Sequence, residues 1–365
     1  MASPVQDKTA VSSTRPVAAI ILAAGKSTRM KTELPKVMHE VCGVPMLGHV
    51  LRACREAGID TFYIVVGFAK DAIISAYSRE VGIHFVEQKE QKGTGHAVQM
   101  CEPDLTGFNG DVIVIAGDMP LIRGETLAEL LKAHRETNAA ASIATTVLDD
   151  PTGYGRITRD AKGEFTGIVE HRDCTPDQLK IHEVNPSYYC FGCRDLFSAL
   201  AEVKPNNAKG EYYLTDALTI LRGRGKRVQA STSVPAADAT GINSRVELAD
   251  VNRMMQTRIQ QHWMTTGVTI VDPLTTWIDA RATIGADATI RPFSCIEGNA
   301  RVGARCVVGP YAYVQDGAII EDGAAVGPGV LTAMDALRAA GNRAGADARQ
   351  KSQAVRRPPA QSGIA

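Results

Sequence analysis

No stretch of the 365-residue chain approaches the roughly 18 consecutive apolar residues that a membrane-spanning helix needs. Met1 to Pro16 is polar and lacks the apolar core of a secretion signal, so the expectation is a cytoplasmic protein with no membrane partner. Charge of one sign is missing too. Forty basic residues face 40 acidic ones, and a net charge of zero excludes the overall field used for nucleic-acid or membrane-surface binding. Anion recognition must then be local and the partner small. Eight cysteines are spread through apparent strands and helices, and only Cys190-Phe-Gly-Cys193 has metal or redox spacing. With no second pair near it, a zinc or thioredoxin-like site is incomplete, and the thiols read as buried groups of a reducing compartment. No histidine follows His262.

What is present is concentrated first in Val17 to Lys36. Val17 to Leu22 is a short apolar run suited to a buried parallel strand, and it empties into Ala23, Ala24 and Gly25, whose backbone can lie flat against a ligand. Lys26, Arg29, Lys31 and Lys36 follow, where a doubly wound sheet opens its crevice at the carboxyl end of a strand. Four cations there suit phosphates, the alternative being a solvated surface loop. A P-loop is excluded: Gly25-Lys26-Ser27 matches its end, but its first glycine would fall at Ile20, inside the strand.

Strand and helix patterns then alternate. Helical spacing covers Val44 to Gly58, Ala69 to Tyr77 and Ile122 to Thr137, and apolar strands cover Thr61 to Val66, Ile83 to Val86, Asp111 to Ile115 and Ala140 to Val147. The expected fold is α/β, a three-layer Rossmann-like domain with a mostly parallel sheet. Glu87 to His96 follows the third strand and points into the same crevice. Gln88 offers an amide that can pair with a base edge, suiting a pyrimidine, and Gly93 and Gly95 around Thr94 permit close approach; a flexible turn before a helix is the alternative. The fourth strand ends in Ala116-Gly117-Asp118, making Asp118 a hard oxygen ligand poised for Mg²⁺, or else a turn former or helix cap. Gly153 and Gly155 suit a sugar lying against backbone. Glu170 can accept sugar hydroxyls or form an exposed edge pair with His171. Asn243 can add a carbonyl oxygen to the metal site or cap the helix from Arg245 to Trp263, whose apolar face (Val246, Val251, Met254, Met255, Ile259) needs a partner surface.

From residue 278 an aliphatic side chain returns at every sixth position: Ile278, Ile284, Ile290, Ile296, Val302, Val308, Val314, Ile320 and Val326. Four residues after each of the first eight stands a small side chain, from Ala282 to Ala324. Period six fits neither an amphipathic helix nor a simple strand. It is the hexapeptide pattern of a left-handed parallel β-helix, here three coils, with the long helix covering one end and a short helix at Leu331 to Ala340 the other.

Taken together, Leu22, Gly25, Arg29, Met30, Pro35 and Lys36, with Gly117-Asp118-Met-Pro-Leu after the fourth strand, resemble the sugar-nucleotide pyrophosphorylases. The Gly-Thr-Gly loop, Gly155, Glu170 and Asn185 narrow this to the bacterial N-acetylglucosamine-1-phosphate uridylyltransferases. The resemblance implies that UTP and N-acetylglucosamine 1-phosphate give UDP-N-acetylglucosamine and pyrophosphate, for cell-envelope precursor synthesis. Leu22, Ala23, Ala24, Gly25, Gln88, Gly93, Thr94, Ala116 and Gly117 would hold the nucleotide side, and Gly155, Glu170 and Asn185 the hexosamine. Arg29 and Lys36 would stabilise the phosphates, and Mg²⁺ on Asp118 and Asn243 would bridge both reactants. Implied domains are a disordered tail over 1–15, the nucleotidyltransferase over 16–243, a linker helix over 244–272, the β-helix over 273–330, and a short helix and disordered tail over 331–365. A homotrimer through the β-helix is implied as well. The bifunctional relatives carry an acetyltransferase site with a catalytic histidine on a longer β-helix; with no histidine after His262 the repeat reads as a scaffold. Departures fall at Pro186-Ser187-Tyr188, where Thr-Gly usually follows the asparagine, at Ala116, often aromatic, and at Ser244, often a second asparagine. The rivals are a nucleotidyltransferase for another sugar or base, and a non-catalytic subunit with the same two parts; regulators tend to lose the phosphate and metal residues, which are present here.

Overall fold

The computed structural model describes residues 15–26 and 28–331, so the expectations for the first fourteen residues and for the segment after Leu331 lie outside the described residues. The chain divides into two compact units, one of residues up to His39 and Pro45–Glu247, the other of Glu40–Val44 and the residues from Leu248 onward. Among the described residues, no helix is long and apolar enough to cross a membrane.

The first unit is built on a nine-stranded sheet. Its strands are β1 (Val17–Leu22), β2 (Phe62–Val66), β3 (Ile83–Glu87), β4 (Asp111–Ala116), β5 (Ala141–Val147), β6 (Gly155–Arg159), β7 (Phe165–Val169), β8 (Glu183–Gly192) and β9 (Val228–Thr232). They lie in the order β9-β5-β8-β4-β1-β2-β3, with β6 on β8 and β7 on β6. β1 is parallel to both β2 and β4, whereas β8 runs antiparallel between β4 and β5. The order reverses at β1 and β4, and there the crevice of a doubly wound sheet opens. Ala18, Ile20, Val112 and Val114 enter one core, and Ala19, Ile21, Ile113 and Ile115 the other. Two covered faces explain why these strands read as unbroken apolar runs. Each large aliphatic side chain here contributes roughly 1.5–3 kcal/mol by burial. Helix α1 (Met46–Glu56) buries Met46, Leu47, Val50, Leu51 and Cys54, and stops at Gly58, whose φ of +80° glycine alone adopts freely. Helix α2 (Leu214–Gly223) covers the opposite face of the sheet with Leu214, Ala217, Leu218 and Leu221.

The same two-faced sheet disposes of the Cys190–Cys193 pair. Cys190 packs into one core and Cys193 into the other, and burial pushes both thiols up, Cys193 to about 11. None of the eight cysteines is in a disulfide. Cys174 and Cys295 are only half-buried, a correction to the reading of all eight as interior groups.

The second unit is a left-handed parallel β-helix, with eleven strands of two or three residues on three faces among the described residues. Ile278 pairs with Ile296, Ile284 with Val302, and Ile290 with Val308, so that residues 18 apart stack from coil to coil. The aliphatic row and the small residues Ala282, Ala288, Ser294, Ala300, Cys306, Ala312, Ala318 and Ala324 are buried as the period requires, apart from a half-buried Val326. The repeat starts one strand earlier than residue 273, at Thr269–Ile270, which pairs with Thr289–Ile290. A turn at Pro273–Thr275 displaces Ile270 from the six-residue register and hides it from the sequence pattern. The long helix, α3 (Arg245–Thr265), covers the first coil. Ile259 and Trp263 pack on the β-helix core, while Val246 is 72% exposed and takes no part. Buried amides complete the cover: Gln256 donates to the Ile278 carbonyl at 2.6 Å and accepts from its N–H at 3.0 Å, and Gln260 donates to the Thr276 carbonyl at 2.8 Å. These side chains satisfy a strand edge that would otherwise be buried with unpaired polar groups.

Candidate active site

The first unit holds a cavity of about 440 Å³ at the carboxyl ends of β1 and β4. Its floor is the Leu22 to Gly25 backbone. Ala23 N–H donates to the Val65 carbonyl at 2.9 Å and Gln91 Nε2 to the Ala24 carbonyl at 2.7 Å, so the turn is fixed from both sides. The Gly117 N–H reaches the Leu22 carbonyl at 2.9 Å, and a Cβ on Gly117 would stand 3.1 Å from that oxygen. Gly117 therefore shapes the floor from beneath rather than facing the cavity.

Of the four cations in the opening loop, Lys36 alone lines the cavity. Pro35 sets φ at −52° before the turn Lys36–Met38, which aims the lysine inward. Its Nζ pairs with the Asp118 carboxylate and donates to Asn243 Oδ1 at 3.1 Å. Lys26 lies over the Phe68 ring, 5.0 Å from its centre, and Arg29 and Lys31 are exposed. Arg29, expected on the phosphates, lies outside the cavity lining.

The cap alternatives for Asp118 and Asn243 also resolve. Asp118's carboxylate faces Lys36, and its backbone carbonyl accepts from the Ile242 N–H at 3.2 Å, joining the two segments. At the start of α3 it is Ser244 Oγ that accepts from the Glu247 N–H, at 3.3 Å, while the Glu247 carboxylate accepts from the Asn243 N–H at 2.6 Å. With capping done by Ser244 and Glu247, the Asn243 carbonyl oxygen turns toward Lys36 instead. Asp118 and Asn243 thus bring two hard oxygens to one cationic group, a donor set that fits Mg²⁺ completed by phosphate oxygens and water. Among the described residues, no cluster of three or more His, Cys, Asp or Glu could hold a metal, so these two donors would not bind one tightly alone.

The 87–96 loop forms the next wall. Gln88 is buried and its amide donates to the Gly93 carbonyl at 3.1 Å, with His96 Nδ1 at 3.0 Å. Gly93 has φ +109°, and a Cβ there would meet the Tyr212 carbonyl at 2.6 Å. Thr94 Oγ1 accepts from the N–H of Leu214, the first residue of α2, at 3.1 Å. The segment from Lys209 to Thr215 thereby joins the wall, contributing Lys209, Glu211, Tyr213 and Thr215. The contact of this segment with the Gly-Thr-Gly loop spans 120 positions and carries no local signal in the sequence. The same holds for the contact of Gln91 with Ala24.

On the far wall stand Glu170, Asn185, Ser187 and Tyr189. Burial raises the Glu170 pKa, against the opposing pull of Lys209; Asp173, Asp216 and Glu211 raise it further. Gly155 lies outside the cavity lining: a Cβ there would come 2.9 Å from Ile168 and 3.4 Å from the Glu170 carboxylate, so its bare backbone makes room for Glu170. Leu22, Ala23, Ala24, Gly25, Lys36, Gln88, Gly93, Thr94, Ala116, Asp118, Glu170 and Asn185 are all brought together at this cavity, and Asn243 joins them through Lys36. Arg29, Gly117 and Gly155 are not in its lining.

Backbone groups, one ammonium and two hard oxygens at one end, with amides and hydroxyls at the other, suit a phosphorylated substrate bound lengthwise. The family comparison agrees. The profile of the MobA-like NTP transferase domain matches residues 19–218, and the bacterial transferase hexapeptide (six repeats) matches 281–314 and 299–333. The chain belongs to the MobA-like NTP transferase domain family and is a nucleotidyltransferase by that membership. It is 44% identical over 292 residues to the bifunctional protein GlmU of Streptomyces avermitilis, covering 79% of this chain and 60% of that protein. Against the GlmU of Heliobacterium modesticaldum the identity is 44% over 280 residues, 77% of this chain and 61% of the relative. The chain thus spans about 60% of the length of the curated relatives it matches. A UDP-glucose pyrophosphorylase crystallised with UDP-glucose shares the fold, with a TM-score of 0.55 and 21% identity over 67% of this chain and 99% of that one.

Proposed function

We propose that the protein transfers a uridylyl group from UTP to N-acetylglucosamine 1-phosphate, releasing pyrophosphate and forming UDP-N-acetylglucosamine, with Mg²⁺ as cofactor. The observation that carries this reading is the convergence of Lys36, Asp118 and Asn243 beside the bare Leu22 to Gly25 backbone. An oxygen of the sugar phosphate attacks the α-phosphorus of UTP in line, the new P–O bond forms as the bond to the β-phosphate oxygen breaks, and pyrophosphate leaves. No covalent nucleophile is needed, since positioning and charge neutralisation carry such a step. Asp118 and Asn243 would hold the Mg²⁺, which when bound neutralises phosphate charge. Lys36 is placed to exchange its Asp118 partner for phosphate oxygens. Gln88, Gly93 and Thr94 border the base and Glu170 and Asn185 the hexosamine. Arg29 reaches the phosphates only if its loop moves inward.

The test is pyrophosphate release across a panel of nucleoside triphosphates and sugar 1-phosphates. Preference for UTP with the 2-acetamido sugar is expected; preference for another pair reassigns the substrate, and no turnover with any pair rejects the enzyme. Eight cysteines outside any disulfide agree with a cytoplasmic setting. No acetyl transfer is assigned to residues 268–331, which contain no histidine; enzyme-dependent release of coenzyme A from acetyl-CoA would overturn this. A homotrimer through the β-helix is supported by exposed apolar side chains on that unit, with Leu274 97% exposed and the stacked Phe293 and Tyr311 rings 53% and 61% exposed. A monomer in light scattering at micromolar concentration would refute it.

A further inference from the structure

Ser187 has φ +68°, and of the nine described non-glycine residues with positive φ it is the one that lines the cavity. A left-handed serine is strained, because its Cβ crowds the backbone, and such strain persists only where the surroundings hold it. The hold is visible. β8 shifts register against β5 between Val184 and Tyr188, and within that irregularity the Ser187 N–H donates to Asn185 Oδ1 at 3.0 Å. Asn185 Nδ2 in turn donates to the Tyr189 hydroxyl at 2.6 Å, and both side chains are buried. Asn185 thus uses one lone pair and one N–H on its own strand. Ser187 is half-buried at the cavity wall, its hydroxyl within hydrogen-bonding reach of the Tyr189 hydroxyl. Burial pushes the Tyr189 phenol up, so it stays a neutral donor.

We propose that Ser187 is a specificity-determining residue, its hydroxyl, backed by Tyr189 and Asn185, hydrogen-bonding an uncharged polar substituent of the sugar ring, an amide or a hydroxyl. This rests on the sugar-nucleotide reading of the cavity. The strained serine then reads the sugar beside Glu170 and Asn185, and Asn185 also holds it in position. A hydrogen-bonding wall rejects an analogue that lacks the partner group, because its own polar groups are left unpaired.

The test uses the full chain and two variants. Ser187→Ala keeps the backbone strain and removes the hydroxyl; Ser187→Gly removes both. Kinetics are measured with hexose 1-phosphates differing in one ring substituent at a time, the 2-acetamido, 2-hydroxyl and 2-deoxy compounds and their 4-epimers. Both variants are expected to lose about tenfold in kcat/KM for the best substrate. Discrimination against the matching deoxy analogue or epimer should shrink by the same factor, and KM for UTP should stay within about twofold. Ser187→Gly should also melt higher than wild type, so activity falls while stability rises. Wild-type discrimination in both variants overturns the proposal, as does a loss that tracks a lower Tm and raises both KM values together. If wild type turns over only with another nucleotide, the uridylyl assignment fails and the same comparison is run with that nucleotide. No turnover with any pair refutes both.

Discussion

The centre of the sheet and the whole of the β-helix are made of parallel strands, yet they bury side chains by different rules. β1, with six residues between two helical layers, sends Ala18 and Ile20 to one core and Ala19 and Ile21 to the other. A β-helix strand such as Thr289–Ile290 sends one residue inward and is completed by a small residue at the next corner. The first design needs long apolar runs and leaves its loops unconstrained; the second fixes every sixth residue and leaves little open to change. The cavity accordingly opens where β1 and β4 end, lined by Lys36, Gly93 and Asp118, and by Ser187 at the irregularity within β8, whereas the periodic unit is built to a fixed register.

If that division holds, catalysis and stability separate under mutation. The largest effect is expected for Asp118→Asn, which should lower kcat by at least about a thousandfold, about 4 kcal/mol, with an unchanged melting temperature. Retention of more than a tenth of the rate would place the metal elsewhere. The mirror experiment is Ile290→Ala in the fully buried β-helix row. It should cost about 3 kcal/mol of that unit's stability in denaturant unfolding and leave kcat/KM intact; a matching loss of activity would break the comparison.

Gly93→Ala tests the loop that joins the cavity walls. Its φ of +109° and the 2.6 Å approach to the Tyr212 carbonyl are a strained combination for any side chain. The substitution should cost about 2 kcal/mol and lower kcat/KM. Gly58→Ala sharpens it as a control: φ is +80° with nothing within 4 Å of the added Cβ. There about 1 kcal/mol of stability is lost and activity is kept. The smallest effect is a pH dependence. Burial raises the folded-state pKa of Glu170, so between its unfolded and folded values the native state binds the extra proton. Relative to Glu170→Gln, wild type should lose stability as pH rises from the ordinary carboxylate range through that raised value, then level off. A difference that instead grew with pH would show the carboxylate to be stabilised as an anion.

Much of this was legible in the residue order, where the governing contact is local or periodic. Val17 to Leu22 announces a strand covered on both faces, and Ile278 to Val326 announces the β-helix residue by residue. Lys36, Asp118 and the Leu22 to Gly25 floor follow from their place at strand ends. Arg29 stands outside the cavity lining while Lys36 is in it, because proximity in sequence says nothing about which way a short turn aims a side chain. That the bare backbone of Gly155 leaves room for Glu170 is a packing fact between two strands that no local pattern announces. Ile270 was missed because a two-residue displacement breaks the period while the pairing to Ile290 persists.

By itself, then, the sequence determined the two architectures and the strand ends at which chemistry collects, because apolar periodicity and strand-end glycines act over a few residues. The tertiary structure alone decided which groups meet. Lys36 reaches Asn243 across 207 positions, Thr94 receives the N–H of Leu214 across 120, and Gln256 closes the strand edge at Ile278. Such contacts carry no local pattern, since the loop closures that create them are set by the packing of the whole sheet and coil.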